Sequence, residues 1–336
     1  MTGPKRQRVA LALQETYEEP DWVMKANKEG TMKSYNRRGF LQIAAAAAAA
    51  ATGANVAGLS AATPKPMRMG LLISATSEPE KAMAEVRHFG IPTAHVITSD
   101  FSPAMARRLR AALESNGIEA TALVTSGPGE EKYDLYEGPI TYGLVPDKYR
   151  RQRIDHLKRA SDFAKQVGIP ATFNQWGYIP EVPSDPLYEP TVKAVREIAS
   201  HCKGNGQIFV NETGQETPIT LLRTIEDAGM DNVQVVLDAA NLILYGKGNP
   251  VDSIDVIGKY VYGVHAKDGF YPTNPRYLGR QVAAGHGKVD WPRLIPRLKQ
   301  IGYTGPITIE PVLGQSQRDQ EIREDKSYLE KLIEQS

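Results

Sequence analysis

The 336 residues contain a single cysteine, Cys202. No internal disulfide can form, and Cys202 reads as a small apolar residue late in a helix. An excess of one charge is missing too. The formal net charge is +1, with 40 Lys and Arg against 39 Asp and Glu. That balance offers no electrostatic footprint for nucleic acid or an anionic membrane. A long, strongly apolar run is also lacking. The nearest thing is the alanine-rich stretch from Leu41 to Leu59, and alanine and glycine bury too little area to hold a bilayer well. No internal repeat, no second domain and no Gly-rich phosphate cradle is visible.

The amino end reads as an address, not as fold. Asn36-Arg37-Arg38-Gly39-Phe40-Leu41-Gln42 is a twin-arginine pattern, followed by the alanine-rich run and by Ser60-Ala61-Ala62 at the spacing of a signal-peptidase site. These are the n-region, h-region and cleavage site of an export signal, carrying the flag of the Tat route. We therefore expect residues 1–31 to be a non-native extension or disordered leader, with translation starting at Met32. Residues 32–62 are expected to be the cleavable twin-arginine signal and residues 63–336 the mature domain. The expected destination is the periplasm, reached through the Tat export machinery, with no stable membrane insertion after cleavage.

From Thr63 onward, apolar runs of strand length alternate with amphipathic, helix-length segments. Some 270 residues with this alternation suit one (β/α)8 TIM barrel. Asn116-Gly117 marks a left-handed helix end, and Thr217-Pro218 a helix start. A long connection from Ser126 to Pro146, with Tyr133, Tyr136 and Tyr142, suits either an ordered loop over the substrate or a plain surface excursion.

Four predicted strands end on side chains that bind metals: Glu212, Asp238, His265 and Glu310, at intervals of 26, 27 and 45 residues. In a (β/α)8 barrel the carboxyl ends of the strands meet at one pocket. Singly, each residue has a bland reading, such as a helix cap or a hydrogen-bonded core histidine. Together, three carboxylates and one imidazole form a mostly hard oxygen set. It suits one divalent ion, Mn²⁺, Co²⁺ or Mg²⁺ before Zn²⁺, with positions left for substrate or water. Strand alternation points Lys267 to the same side as His265, where it would bind substrate or pair with a carboxylate. Asp268 reads as a hydrogen-bonding support for a ligand. His286 reads as solvent- or substrate-facing. His88, His95, His156 and His201 read as structural or exposed, far from the mouth.

Asn211-Glu212, Asp238-Ala239-Ala240-Asn241, His265-Ala266-Lys267-Asp268 and Ile309-Glu310, with Gly285-His286-Gly287-Lys288 before the last strand, resemble the xylose isomerase-like sugar isomerases and epimerases over roughly residues 68–335. The resemblance implies that all four strand-end residues bind one metal and that Glu212 and Glu310 also transfer protons. It implies a sugar or keto-sugar substrate, an enediolate stabilised by the metal, and isomerase or epimerase chemistry.

The chain departs from that pattern at Asn241 and at Asn174-Gln175-Trp176, where many members carry histidines. Asn174, Gln175 and Asn241 can still bond hydroxyls, and Trp176 can stack on a sugar face. A phosphorylated substrate would need its own basic pocket, for which Arg276, Arg280 and Lys288 are the candidates. A free sugar, keto sugar or glycoside is preferred. A lyase or dehydratase sharing the same first step is the runner-up, a non-catalytic sugar-binding protein is a further alternative, and a homo-oligomer is left open. A nuclease of related fold would need more ligands and a basic groove.

Overall fold

Eight parallel strands close into a barrel, each hydrogen-bonded to its neighbours in chain order and the last to the first. Residues 67–336 are described by the structure, a computed structural model. The leader, the twin-arginine segment and the cleavage site lie outside the described residues. The barrel strands are β1 (Met69–Ser74), β2 (Thr93–Ile97), β3 (Glu119–Val124), β4 (Ala171–Asn174), β5 (Ile208–Glu212), β6 (Val233–Asp238), β7 (Val261–Ala266) and β10 (Ile307–Ile309). A small antiparallel hairpin, β8 (Asp268–Gly269) with β9 (Gln281–Val282), sits in the loop after β7. No helix among the described residues is long and apolar enough to cross a membrane.

The outer helices are α1 (Pro79–His88), α2 (Pro103–Asn116), α4 (Asp147–Val167), α5 (Tyr188–Gly204), α6 (Pro218–Ala228), α8 (Pro250–Ile257), α9 (Trp291–Gln300) and α10 (Arg318–Gln335). Local chemistry sets their ends. Gly117 closes α2 with φ +64°, and the Thr217 side chain accepts from Thr220 N to open α6. Two short helices escape the sequence reading: α3 (Gly138–Thr141) and α7 (Ala239–Leu244). The second starts directly from a strand end, because the Asp238 side chain caps Asn241 N.

Alternation along the strands fills the barrel with Ala122, Phe173, Val210 and Val236. On β5 and β6 the next inward position is Glu212 and Asp238. On these two strands the inward face thus turns polar where they end at the carboxyl-side mouth.

The long connection after β3 is ordered. The buried Arg153 of α4 donates to the carbonyls of Pro128, Glu130 and Gly143 at 3.1, 2.8 and 2.6 Å. At Gly143 (φ +73°) a side chain would run into the backbone of Trp176 at 2.3 Å, so glycine lets this loop lie on the loop after β4. Leu135 N donates to Arg276 O at 3.0 Å, which ties it to the loop after β7 as well.

Candidate metal and proton-transfer site

Four neighbouring strands, β5, β6, β7 and β10, bring Glu212, Asp238, His265 and Glu310 together. One donor atom from each lies within 4.8 Å of the others. Register explains the convergence: Asp238 pairs directly with His265, and His265 with Thr308, two residues before Glu310. Two strand ends differ slightly from the sequence reading. His265 is the penultimate residue of β7, and Glu310 follows the last residue of β10.

Glu212, Asp238 and His265 are buried, Glu310 is half-buried, and their donor atoms face one another. His265 Nδ1 lies 2.5 Å from Glu212 Oε1 and 3.1 Å from Glu310 Oε2. Nevertheless Glu212 Oε1, Asp238 Oδ2 and His265 Nδ1 all lack an aligned hydrogen-bond partner. Buried polar atoms rarely stay unpaired. Oxygen and nitrogen lone pairs converging on one point are what a divalent cation requires, so the donor set fits the metal that the sequence implies.

Lys267 Nζ sits against the same cluster, 2.9 Å from Asp238 Oδ2 and 2.6 Å from Glu310 Oε1. Burial acts against its charge, but Asp238 and Glu310 outweigh that and raise its pKa. For Glu310, burial would raise the pKa, yet Lys267 and His265 hold it well below the usual carboxylate range. Burial likewise opposes charge on His265, and Glu212 with Glu310 overcome it, lifting His265 to about 10. Asp238, wholly buried, is pushed up by that burial to about 7 against the pull of Lys267.

Above the cluster lies a cavity of about 200 Å³. Leu72, Ile97, Val124 and Phe173 make an apolar wall. Thr125, Ser126, Asn174 and Gln175 supply polar groups, and Tyr133 stands at the entrance. Gln175 Nε2 donates to Glu212 Oε2, and Asn174 Nδ2 donates to Thr125 O at 2.7 Å. No Arg or Lys lines this cavity. Arg276 lies over the Tyr136 ring, and Arg280 and Lys288 over the Phe270 ring, at 4.3, 4.5 and 5.9 Å, and none of the three lines this cavity. A larger hollow of about 420 Å³ between α4 and α5 involves Lys158, Lys193 and Arg196 and has no comparable donor cluster.

Several sequence expectations need correction. Trp176 cannot stack on a sugar as placed here. It is fully buried and stacks on Phe209, because its backbone N is tied to Asn211 Oδ1 and Gly177 turns the chain away at φ +92°. Asp268 supports no ligand. It accepts from the backbone N of Gly269, Gly285 and Val289 and so organises the β7 loop. Of the two roles left open for Lys267, the structure shows the ion pair. Asn241 is buried and lies outside the cavity lining.

His95 is not remote from the mouth. It lies inside the barrel, fully buried, 2.8 Å from His265. Burial, aided by His265, keeps its pKa far below the ordinary histidine value. His156 reaches Thr125 Oγ1 at 3.0 Å and so touches the cavity wall from behind. His286 is exposed, as read from the sequence. The apolar wall and Ser126 were not singled out in the sequence, since nothing distinguishes them from other strand-end residues.

A family model described as Xylose isomerase-like TIM barrel matches residues 83–332. The chain belongs to this family. Within the xylose isomerase-like TIM barrel family, it is 30% identical to a xylose isomerase domain protein from Planctomyces limnophilus. That match covers 80% of this chain and 98% of the other at a TM-score of 0.76. A D-psicose 3-epimerase, crystallised in the presence of D-fructose, shares the fold at 17% identity, with a TM-score of 0.61 over 80% of this chain and 99% of that one. The uncharacterized protein MJ1311 of Methanocaldococcus jannaschii is 27% identical over 177 residues, which is 49% of this chain and 58% of that protein. The match thus spans little more than half of that relative's length.

Beside the site, Glu216 is buried with one oxygen bonded to Asn211 Nδ2 at 2.9 Å and the other unpaired. Burial raises its pKa to about 8 from an ordinary 4.5. A carboxyl raised in the folded state stabilises the fold fully below the unfolded value. That contribution is lost as pH climbs through about 8. Glu216→Gln keeps the acceptor for Asn211 and removes the titration. The variant should be more stable than wild type at pH 9, by up to about 5 kcal/mol, and show no such gain at pH 4. Urea unfolding at both pH values measures this, and an equal effect at the two would refute it.

Proposed function

We propose that this protein is a metal-dependent sugar isomerase or epimerase that works by proton transfer beside a carbonyl. One observation carries the reading: four convergent donors, with buried Glu212 and His265 atoms that lack a hydrogen-bond partner, at the mouth of a barrel of this family. Glu212, Asp238, His265 and Glu310 would hold the cation. When bound, it would supply a Lewis acid for a carbonyl and its neighbouring hydroxyl and so lower the cost of an enediolate.

The chain's own residues would do the rest. Glu212 and Glu310 are the outer members of the four-strand set, with Asp238 and His265 between them. A sugar seated over the middle pair has a carboxylate on either side. One takes the proton and the other returns it, which inverts a carbon; a single carboxylate doing both would interconvert aldose and ketose. Gln175 holds Glu212 and Lys267 holds Glu310, which fixes where each can reach.

The cavity favours a neutral substrate. Its lining has no Arg or Lys for phosphate, and an apolar wall faces hydroxyl-bonding groups. The D-psicose 3-epimerase of the same fold supports a ketose-like molecule. Export through the Tat route and a periplasmic site of action belong to the same proposal, as does a mature domain of residues 63–336.

The test is turnover in D₂O. Full-length protein loaded with Mn²⁺, Co²⁺ or Mg²⁺ is given neutral aldoses and keto sugars, and the products are read by NMR. We expect one deuterium at the reacting carbon and an otherwise unchanged skeleton. Loss of water or an aglycone would instead make the enzyme a lyase. Neither exchange nor turnover with any of these metals and sugars would end the proposal.

A further inference from the structure

We propose that His95 is a positioning residue for the candidate cation site: its Nδ1 accepts the Nε2–H of His265, which leaves the His265 Nδ1 lone pair facing the carboxylates. The inference rests on the metal-dependent reading above. It assigns a task to a side chain 170 residues from its partner in sequence.

Cation binding by His265 allows one direction for that bond. His95 Nδ1 and His265 Nε2 are 2.8 Å apart, and both rings are buried. A single proton lies between them, so one ring donates and the other accepts. The other nitrogen of His265, Nδ1, is the one aimed at Glu212 and Glu310. A nitrogen that binds a cation must be bare. A neutral imidazole with a bare Nδ1 carries its proton on Nε2. His265 is then the donor and His95 the acceptor. In the reverse arrangement the His265 proton would sit on Nδ1, in the position the cation needs.

The surroundings of His95 fit an acceptor held in place. Phe173 packs edge-on at a centroid distance of 5.8 Å. A Cβ added at Gly263 would lie 3.5 Å from His95 Cε1, an ordinary contact distance, so the β7 backbone packs directly against the imidazole. His95 Nε2 has no hydrogen-bond partner among the described residues. That nitrogen carries the proton when Nδ1 accepts, and an unpaired buried N–H is unfavourable. A leucine would fill this apolar space without the penalty. The bond to His265 is the compensating use of the ring.

Metal-binding histidines commonly donate their second N–H to a carboxylate or a carbonyl. Here the acceptor is a neutral imidazole, which adds no further negative charge to a site already holding three carboxylates.

His95→Leu and His95→Asn in the full-length protein separate positioning from packing. Asn presents its Oδ1 close to where the His Nδ1 lies, so it can accept the same bond. We expect Leu to weaken Mn²⁺ binding about 10- to 100-fold, and Asn to restore it to within a few-fold of wild type. Binding is followed by the Mn²⁺ EPR signal, and the thermal midpoint in EDTA reports packing alone. Wild-type affinity in the Leu variant, or equal weakness in both variants, overturns the proposal.

If His95→Leu does not fold, the Asn variant and one spectrum still decide. In wild type loaded with diamagnetic Mg²⁺, ¹⁵N–¹H correlation of the imidazoles should place the His95 proton on Nε2; a proton on Nδ1 overturns the inference directly. Failure of the wild type to bind Mn²⁺, Co²⁺ or Mg²⁺ would sink the metal reading and the purpose assigned to the bond. The tautomer spectrum separates that failure from an error in the bond's direction.

Discussion

Glu310→Gln should fold like wild type and slow turnover by about a hundred- to ten-thousandfold, the usual contribution of a positioned acid or base. The amide has nearly the shape of the carboxylate. Its oxygen can still accept from Lys267, now 2.6 Å from Glu310 Oε1, and can still offer one donor to a cation. What it cannot do is take or return a proton. Glu212→Gln should lose as much, for the same reason, with its oxygen still available to Gln175.

The two variants also separate the faces of the sugar. If each glutamate serves one face, each variant should retain deuterium exchange with only one of two epimers. The comparison is made at saturating Mn²⁺, so that weakened metal binding is not mistaken for lost chemistry. Turnover within tenfold of wild type in both variants would remove the glutamates from the mechanism.

The second large effect concerns stability. Lys267→Met should destabilise the metal-free protein by about 3–5 kcal/mol, the cost of removing one partner of a buried ion pair. Lys267 is 5% exposed and bridges Asp238 and Glu310. Its loss leaves those carboxylates with Glu212 in a small buried volume. Asp238 is already raised to about 7 by burial, and without the ammonium it rises further. A raised carboxyl stabilises the fold at low pH and loses that contribution as pH rises through its folded value.

The Met variant should therefore be weakest above pH 7 and approach wild type in acid. Mn²⁺ should return part of the loss, because a ligand bound only to the folded state adds stability by mass action. Urea unfolding with EDTA and with Mn²⁺ measures both. A cost below about 1 kcal/mol in EDTA would show that the ammonium does not hold these carboxylates.

Much of the site is visible in the one-dimensional chain because strand alternation is a local rule. Three largely apolar residues before Glu212, Asp238, His265 or Glu310 put each at a strand end, and parallel strands place such ends on one face. Gly117 and Thr217 are equally local signals, each closing or opening a helix with a neighbour three or so residues away.

The misreadings share the opposite cause. Asp268 follows the ligand strand, but the loop after it folds back and brings Gly285 and Val289 to its carboxylate. Trp176 looks like a sugar platform until Asn211 and Gly177 turn it inward. Tyr133 acquires a place at the cavity because Arg153, on the following helix, anchors its loop through three carbonyls.

The sequence by itself determined the barrel, the four donors and their phase, since each follows from periodicities of two and 3.6 residues. Only the tertiary structure decided which side chains meet across the barrel. His95 on β2 reaches His265 on β7, Lys267 spans Asp238 and Glu310, and a cation-free apolar wall closes one side of the cavity. Closure brings together residues up to 170 positions apart, and nothing in the local pattern around His95 records which residue lies opposite.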